Sequence, residues 1–319
     1  MFKVSTAGYS TKVQDSFMCS SYKGLYRIGI FDGHGDLGEK FAKRAKQICE
    51  DKIDLQSQEL IDYIEMCTKK EMRRDLEKTH GKICEYTPNG QRTEGLTMNG
   101  VPVTGGTTAS IFDILPDGST RFTILGDSYG FKFGKNLGEI SSISRENHKA
   151  TSLTELQEIQ QRCAELDQPP VDFIFSGNPR RSVFVQNESG DLVPNQECPL
   201  FVNVRNEPEA HVNSEDMGNI GITRTIGDFC WKPRLSCKAD VAIVEPCPFV
   251  GQTDCYVVAS GLWDAVQYEE VRKIVRDPKY VGNATEAANA LISYGKEQNI
   301  SHFGHLHNIS VVVAYVTRL

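Results

Sequence analysis

Between residues 108 and 133 three strand-like runs, 108–115, 120–126 and 129–133, follow one another with no room for a helix between them. Parallel neighbours need a crossover of a dozen or more residues, so connections this short demand antiparallel pairing. Asp117-Gly118, between the first two runs, is a hairpin signal. The chain is therefore expected to build an antiparallel meander rather than a doubly wound parallel sheet.

Shorter strand-like pieces come earlier, at residues 2–6, 17–20 and 25–31. The last runs into FDGHGD, residues 31–36, and then into helical spacing over 37–53 that puts Leu37, Phe41, Ala45, Ile48 and Cys49 on one face. An aspartate, a histidine and two glycines thus stand at the exposed end of a strand. Asp32 offers a carboxylate to a hard cation, and a glycine lets a backbone carbonyl approach. The plainer reading is a glycine-rich turn with Asp36 capping the helix. Six residues do not choose between the two.

Composition narrows the function classes. A net charge of -7 without a dense Lys/Arg block argues against nucleic acid as a partner. No stretch is apolar for long enough to span a bilayer, and the first residues lack the pattern of a secretion signal, so no membrane role is expected. The ten cysteines are scattered without a CxxC pair, which fits a reduced compartment, cytoplasmic or nuclear.

Further along, residues 57–79 read as a second helix with Leu60, Ile61, Ile64, Cys67 and Leu76 inward and a solvated Lys/Arg face. Residues 81–105 are polar and turn-rich. Ser152 opens a capping box with Glu155 before a helix carrying Leu153, Leu156, Ile159, Cys163 and Leu166. Regular patterning fails over 167–219, apart from β-like pieces at 182–186 and 200–204; a connection this long is functional, mobile or a small subdomain. A strong strand at 255–259, helices at 268–277 and 285–298 and a final strand at 309–316 complete the chain, with Trp263 as a core aromatic.

Polar motifs line up at the ends of these elements: VQD (13–15), DGHG, GGTTA, GDS (126–128), ENHK (146–149), TRTIGD (223–228), SGLWD (260–264) and HNIS (307–310). In this order the chain resembles the metal-dependent serine/threonine protein phosphatases of type 2C over nearly its whole length. The resemblance implies an α+β fold, a four-layer α-β-β-α sandwich of two antiparallel sheets flanked by helix pairs. It implies one phosphatase-like domain over 1–319, with 167–219 as an enlarged flap beside the cleft. It also implies hydrolysis by water activated between two divalent cations.

Carried over residue by residue, Asp32 matches the aspartate that bridges two metals, Gly33 the residue whose carbonyl binds one of them, and His34 the histidine that protonates the leaving oxygen. Asp15 matches the acid that orients metal-bound water, and Asp264 the aspartate of a third metal. Other positions depart. Gln14 replaces glutamate, Ser10 the phosphate-binding arginine, Tyr129 a common arginine, and Asn147 an aspartate. Ser260 and His307 stand where the family has aspartates private to one metal.

Mg²⁺ and Mn²⁺ need anionic oxygen. Serine is a poor ligand for them and histidine adds no negative charge, so at most one weakly bound divalent cation, Mg or Mn, is expected, or none. Losing one transition-state contact of the arginine kind costs about 2.7–4 kcal/mol. The sequence thus points to an inactive or severely impaired pseudophosphatase, a regulatory module binding a protein partner or phosphoprotein at the 167–219 flap. The alternative is an active metal-dependent phosphatase with altered metal preference, in which His302, His305 and His307 help to hold a softer metal; the plainer view leaves those histidines on a strand start and a loop.

Overall fold

The computed structural model describes residues 2–11, 14–80, 84–86, 92–98, 101–133, 140–142, 148–177, 181–196, 203–204, 207–214, 218–232, 234–246, 249–304 and 308–319. Two five-stranded antiparallel sheets dominate it. The first runs Phe2–Ser10, Ser310–Arg318, Thr253–Ser260, Tyr129–Phe133, Ile140–Ser142. The second runs Asp240–Val244, Thr120–Leu125, Ala109–Ile114, Leu25–Phe31, Ser16–Tyr22.

Side chains alternate across a strand, so a run that is apolar at every position must be covered on both faces. In the first sheet Cys255, Val257, Ala259, Val311, Val313 and Tyr315 meet helices α5 (Tyr268–Val275) and α6 (Ala284–Phe303). The intervening Tyr256, Val258, Val312, Ala314 and Val316 meet Ile28, Ile30, Phe112, Ile114, Phe122 and Ile124 of the second sheet. On that sheet's far face Met18, Ile111 and Leu125 pack against Ala42, Ala45 and Ile48 of α1 (Gly38–Asp51) and Leu60, Ile61 and Ile64 of α2 (Ser57–His80). The cores therefore stack helix pair, sheet, sheet, helix pair, the order expected from the sequence.

A guanidinium locks α1 to the second sheet. Fully buried Arg27 donates to both carboxylate oxygens of Asp113, Nε at 2.6 Å and Nη2 at 3.0 Å. Its remaining protons reach the carbonyls of Cys49, Lys52 and Leu55 at the C-terminal end of α1. A buried charge needs such complete pairing to be tolerated.

Several local expectations are corrected. The meander stops after two strands: Ala109–Ile114 pairs with Thr120–Leu125, but Tyr129–Phe133 pairs with Thr253–Ser260 in the other sheet. The switch falls at Gly126, whose φ of +95° and contact with Thr108 admit no side chain. Alternation reports that a run is a strand, not which sheet it joins. The polar stretch 81–105 carries three short paired strands, Cys84–Tyr86, Arg92–Met98 and Val101–Pro102; the Asn99-Gly100 dipeptide between the last two is itself a hairpin signal.

The capping box is only half made. Ser152 Oγ accepts from the Glu155 amide at 3.3 Å, but the Glu155 carboxylate is fully buried in an ion pair with Arg224. Thr223 Oγ1 donates to the same carboxylate at 2.5 Å. Residues 167–219, where patterning failed, prove in their described part to hold Asp172–Phe175, Ala210–Ser214 and Gly218–Ile220 as a small sheet and Phe184–Gln186 with Leu192–Pro194 as a hairpin. With α3 (Leu153–Glu165) and Trp231 they enclose a core of their own. No helix among the described residues is long and apolar enough to cross a membrane, and Cys19, Cys49, Cys67, Cys163, Cys230, Cys237 and Cys255 form no disulfide.

Candidate functional site

The motif residues gather where the two sheets end. Leu25–Phe31 of the second sheet delivers Asp32, and Thr253–Ser260 of the first delivers Ser260. Ser260 Oγ donates to Asp32 Oδ2. Ser260 lies opposite Ser310 in the ladder and Ser310 opposite Ser10, so three serines stand side by side at the end of the first sheet. Ser310 Oγ donates to Asp15 Oδ2 at 2.5 Å and lies 2.7 Å from Ser10 Oγ. Each of the two aspartates from the second sheet is thus met by a hydroxyl from the first.

The backbone around Asp32 is fixed by the GGTTA and GDS segments. Its amide donates to Thr108 Oγ1 at 3.2 Å and its carbonyl accepts from the Thr108 amide at 3.0 Å. Thr108 Oγ1 in turn donates to Ser128 Oγ at 3.0 Å. At Gly33 a Cβ would collide with the backbone carbonyls of Gly38 and Gln14, so no other residue fits. Gln14 turns its amide to the Gly35 carbonyl at 3.1 Å. Asp36 does not cap α1: Leu37 is the N-cap residue and no side chain caps it, while the Asp36 carboxylate accepts from Thr104 Oγ1 at 2.9 Å.

His34 has a partner that the motif reading did not name. Its Nε2 lies 2.6 Å from Oδ2 of Asp228, the last residue of TRTIGD. Asp228 is buried, sits at a φ of +47° and donates its own amide to the Gly105 carbonyl at 2.9 Å. A Cβ on Gly106 would occupy the place of the Asp228 carboxylate. Burial works against a charge on His34, yet Asp228 and then Asp32 and Asp127 outweigh it and raise its pKa above the ordinary 6.5.

Asp127, inside GDS, is the second residue the motif reading passed over. Burial pushes its carboxyl up, opposed by Lys149 and His34 and reinforced by the Asp32 and Asp264 carboxylates. That pattern brings Asp32, His34, Asp127, Lys149 and Asp264 into one electrostatic neighbourhood. Asp264 sits in α4 (Leu262–Ala265), whose Trp263 is buried against Phe131 and Tyr268. Of the substituted positions, Ser10, Gln14 and Ser260 are placed as above; Asn147, His307 and the Tyr129 side chain lie outside the described residues. So does His305, while His302 is exposed near the end of α6 beside Phe303. Among the described residues no three His, Cys, Asp or Glu side chains gather as a metal-holding group.

Comparison with known proteins agrees with this geometry. The family profile described as protein phosphatase 2C matches residues 8–302. The serine-threonine phosphatase 2C of Toxoplasma gondii superposes with a TM-score of 0.63 at 13% identity, over 98% of this chain and 94% of that one. The catalytic domain of the serine threonine protein phosphatase PstP, in complex with 2 manganese ions, superposes at 0.51 with 15% identity, over 99% and 100%. A sex determining protein of C. elegans superposes at 0.53 with 16% identity over 98% of this chain, which spans only 64% of that protein's length. At such identities the likeness is one of fold. No curated protein sequence matches the chain.

Proposed function

The chain belongs to the protein phosphatase 2C family, and we propose that within it the chain is a pseudophosphatase: the scaffold serves as a binding or regulatory module, with hydrolysis of phosphoserine and phosphothreonine lost or severely impaired. The observation that carries this reading is the hydrogen bond from Ser260 to Asp32. In the proposed assignment Asp32 is the bridging position, with Gly33, Asp15 and Asp264 beside it and His34 as the proton donor.

The donor set does not fit two hard cations. One oxygen of Asp32 is already engaged by a hydroxyl, the group across from it is a neutral serine, and Gln14 contributes an amide where a carboxylate would bind more strongly. Ser10 supplies no bidentate grip on a phosphate. The subdomain built over 167–219 is the proposed docking surface for a protein or phosphoprotein partner, and free thiols support a cytoplasmic or nuclear setting.

The pairing of His34 with Asp228 favours the second reading, an active phosphatase with altered metal preference, because it keeps a proton donor in place. Turnover of a small aryl phosphate and of a phosphopeptide across Mg²⁺, Mn²⁺, Fe²⁺ and Zn²⁺ separates the two. No turnover above background is expected; metal-dependent turnover that Asp32→Ala abolishes would overturn the pseudophosphatase reading.

A further inference from the structure

A cluster of carboxylates without cations repels itself, and a chain that has only lost ligands would carry that repulsion into its folded state. The end of the first sheet shows a compensating arrangement. Ser10, Ser310 and Ser260 are brought side by side by register alone, because Ser10 pairs with Ser310 and Ser310 with Ser260. Of the three, Ser310 and Ser260 are buried. Each of those two hydroxyls has one proton, and each gives it to a carboxylate of the opposite sheet: Ser310 to Asp15 and Ser260 to Asp32.

Lys149 sets a positive charge against Asp127. Thr108 and Ser128 tie the Asp32 backbone to the GDS segment. Donors reach the acidic residues from the protein itself.

We infer that the serine row Ser10–Ser310–Ser260 acts as an internal substitute for divalent cations, engaging one carboxylate oxygen each of Asp15 and Asp32 so that the sandwich folds without metal. The inference rests on the pseudophosphatase reading and deepens it: ligands were not merely lost from this cleft, they were replaced by groups that make metal unnecessary. A hydrogen bond to a charged, buried acceptor contributes more than a neutral one, and its loss leaves the acceptor's desolvation uncompensated.

Thermal unfolding of the full chain, in EDTA and in millimolar Mn²⁺ or Mg²⁺, tests this. Wild type should show the same Tm in all three. Ser260→Ala and Ser310→Ala should each lower Tm by about 3 °C in EDTA, whereas Ser260→Thr, which retains the hydroxyl, should hold the wild-type value. Ser260→Asp should lower Tm in EDTA and regain part of it in Mn²⁺. A wild-type Tm that rises by several degrees with Mn²⁺, or a Ser260→Ala chain as stable as wild type, overturns the inference. Should an alanine variant fail to fold, the wild-type comparison and Ser260→Thr still decide. A metal-shifted Tm with no turnover overturns this inference alone, while metal-dependent turnover overturns the reading beneath it.

Discussion

At the cleft the second sheet ends in Asp15 and Asp32, whereas the first ends in Ser10, Ser310 and Ser260. Each end has a glycine whose Cβ would meet backbone, Gly33 on one side and Gly261 on the other. They differ in charge. Carboxylates on both sides would need cations between them, but carboxylates facing hydroxyls are complementary as they stand. The difference teaches that metal chemistry in such a sandwich is a joint property of two sheets. One end can present aspartates while the end facing it presents hydroxyls.

The largest effect probes what lies outside that contrast. Arg224→Ala leaves the Glu155 carboxylate buried without its ion pair and should cost about 3–5 kcal/mol, read by chemical denaturation. Arg224 joins α3 to the TRTIGD segment and reaches Asp240 Oδ1 at 3.3 Å in the edge strand of the second sheet, but bonds neither Asp15 nor Asp32 among the described contacts, so the stability difference between EDTA and Mn²⁺ should stay at zero. A metal response appearing in this variant would show that the cleft senses the neighbouring subdomain, and the two-ended description would break.

Next come the glycines. Gly33→Ala forces a Cβ against the Gly38 and Gln14 carbonyls, and Gly261→Ala does so against the Asn308 carbonyl at a φ of +69°. In both the obstacle is backbone, so each should cost about 1–3 kcal/mol. Equal losses would show two equally rigid ends. A loss at Gly33 alone would mean that the serine end is soft.

Asp228→Asn sharpens the acidic side. Burial lowers the His34 pKa and Asp228 raises it by more, so the net shift is upward. A histidine raised in the folded state stabilises the protein below its unfolded value, and that stabilisation is lost as pH rises through the raised value. In Asp228→Asn the His34 midpoint, followed by NMR, should fall toward or below the ordinary 6.5, and the loss of stability with rising pH should flatten. An unmoved midpoint would assign the shift to Asp32 and Asp127 instead.

The smallest effect is expected at Gln14→Glu, which returns a carboxylate to a half-exposed position whose amide bonds only the Gly35 carbonyl among the described contacts. Stability in EDTA should change by less than about 0.5 kcal/mol. A larger loss would mean that the acidic end already stands near its limit of tolerated charge.

Much of this was legible beforehand. Continuous apolar runs located the central strands, because strands covered on both faces are apolar at successive positions. The order of the motifs anticipated residues that meet where the two sheets end. Sheet membership was not legible: the third run of the expected meander crosses to the other sheet at Gly126, and neither strand pattern nor loop length records that. Asp127 and Asp228 were missed for a related reason. Each follows a glycine in the left-handed region, Gly126 at +95° and Gly227 at +89°, so each is aimed by backbone geometry that a motif does not display. Glycine–aspartate pairs beyond DGHG were the available signal. Glu155 misled because a capping box and a buried ion pair use the same residue type, and only Arg224, distant in sequence, distinguishes them.

Arg27 gives the cleft a mechanical character. It belongs to the strand that delivers Asp32, yet its guanidinium grips the far end of α1, the helix that leaves the DGHG turn. Strand, turn, helix and side chain close a triangle whose helical side is about 21 Å long at 1.5 Å per residue. A braced triangle holds its corner angle whatever is mounted there. The corner thus keeps its angle whichever residues of the other sheet face it, and an alteration at Arg27 would tilt the corner without touching it.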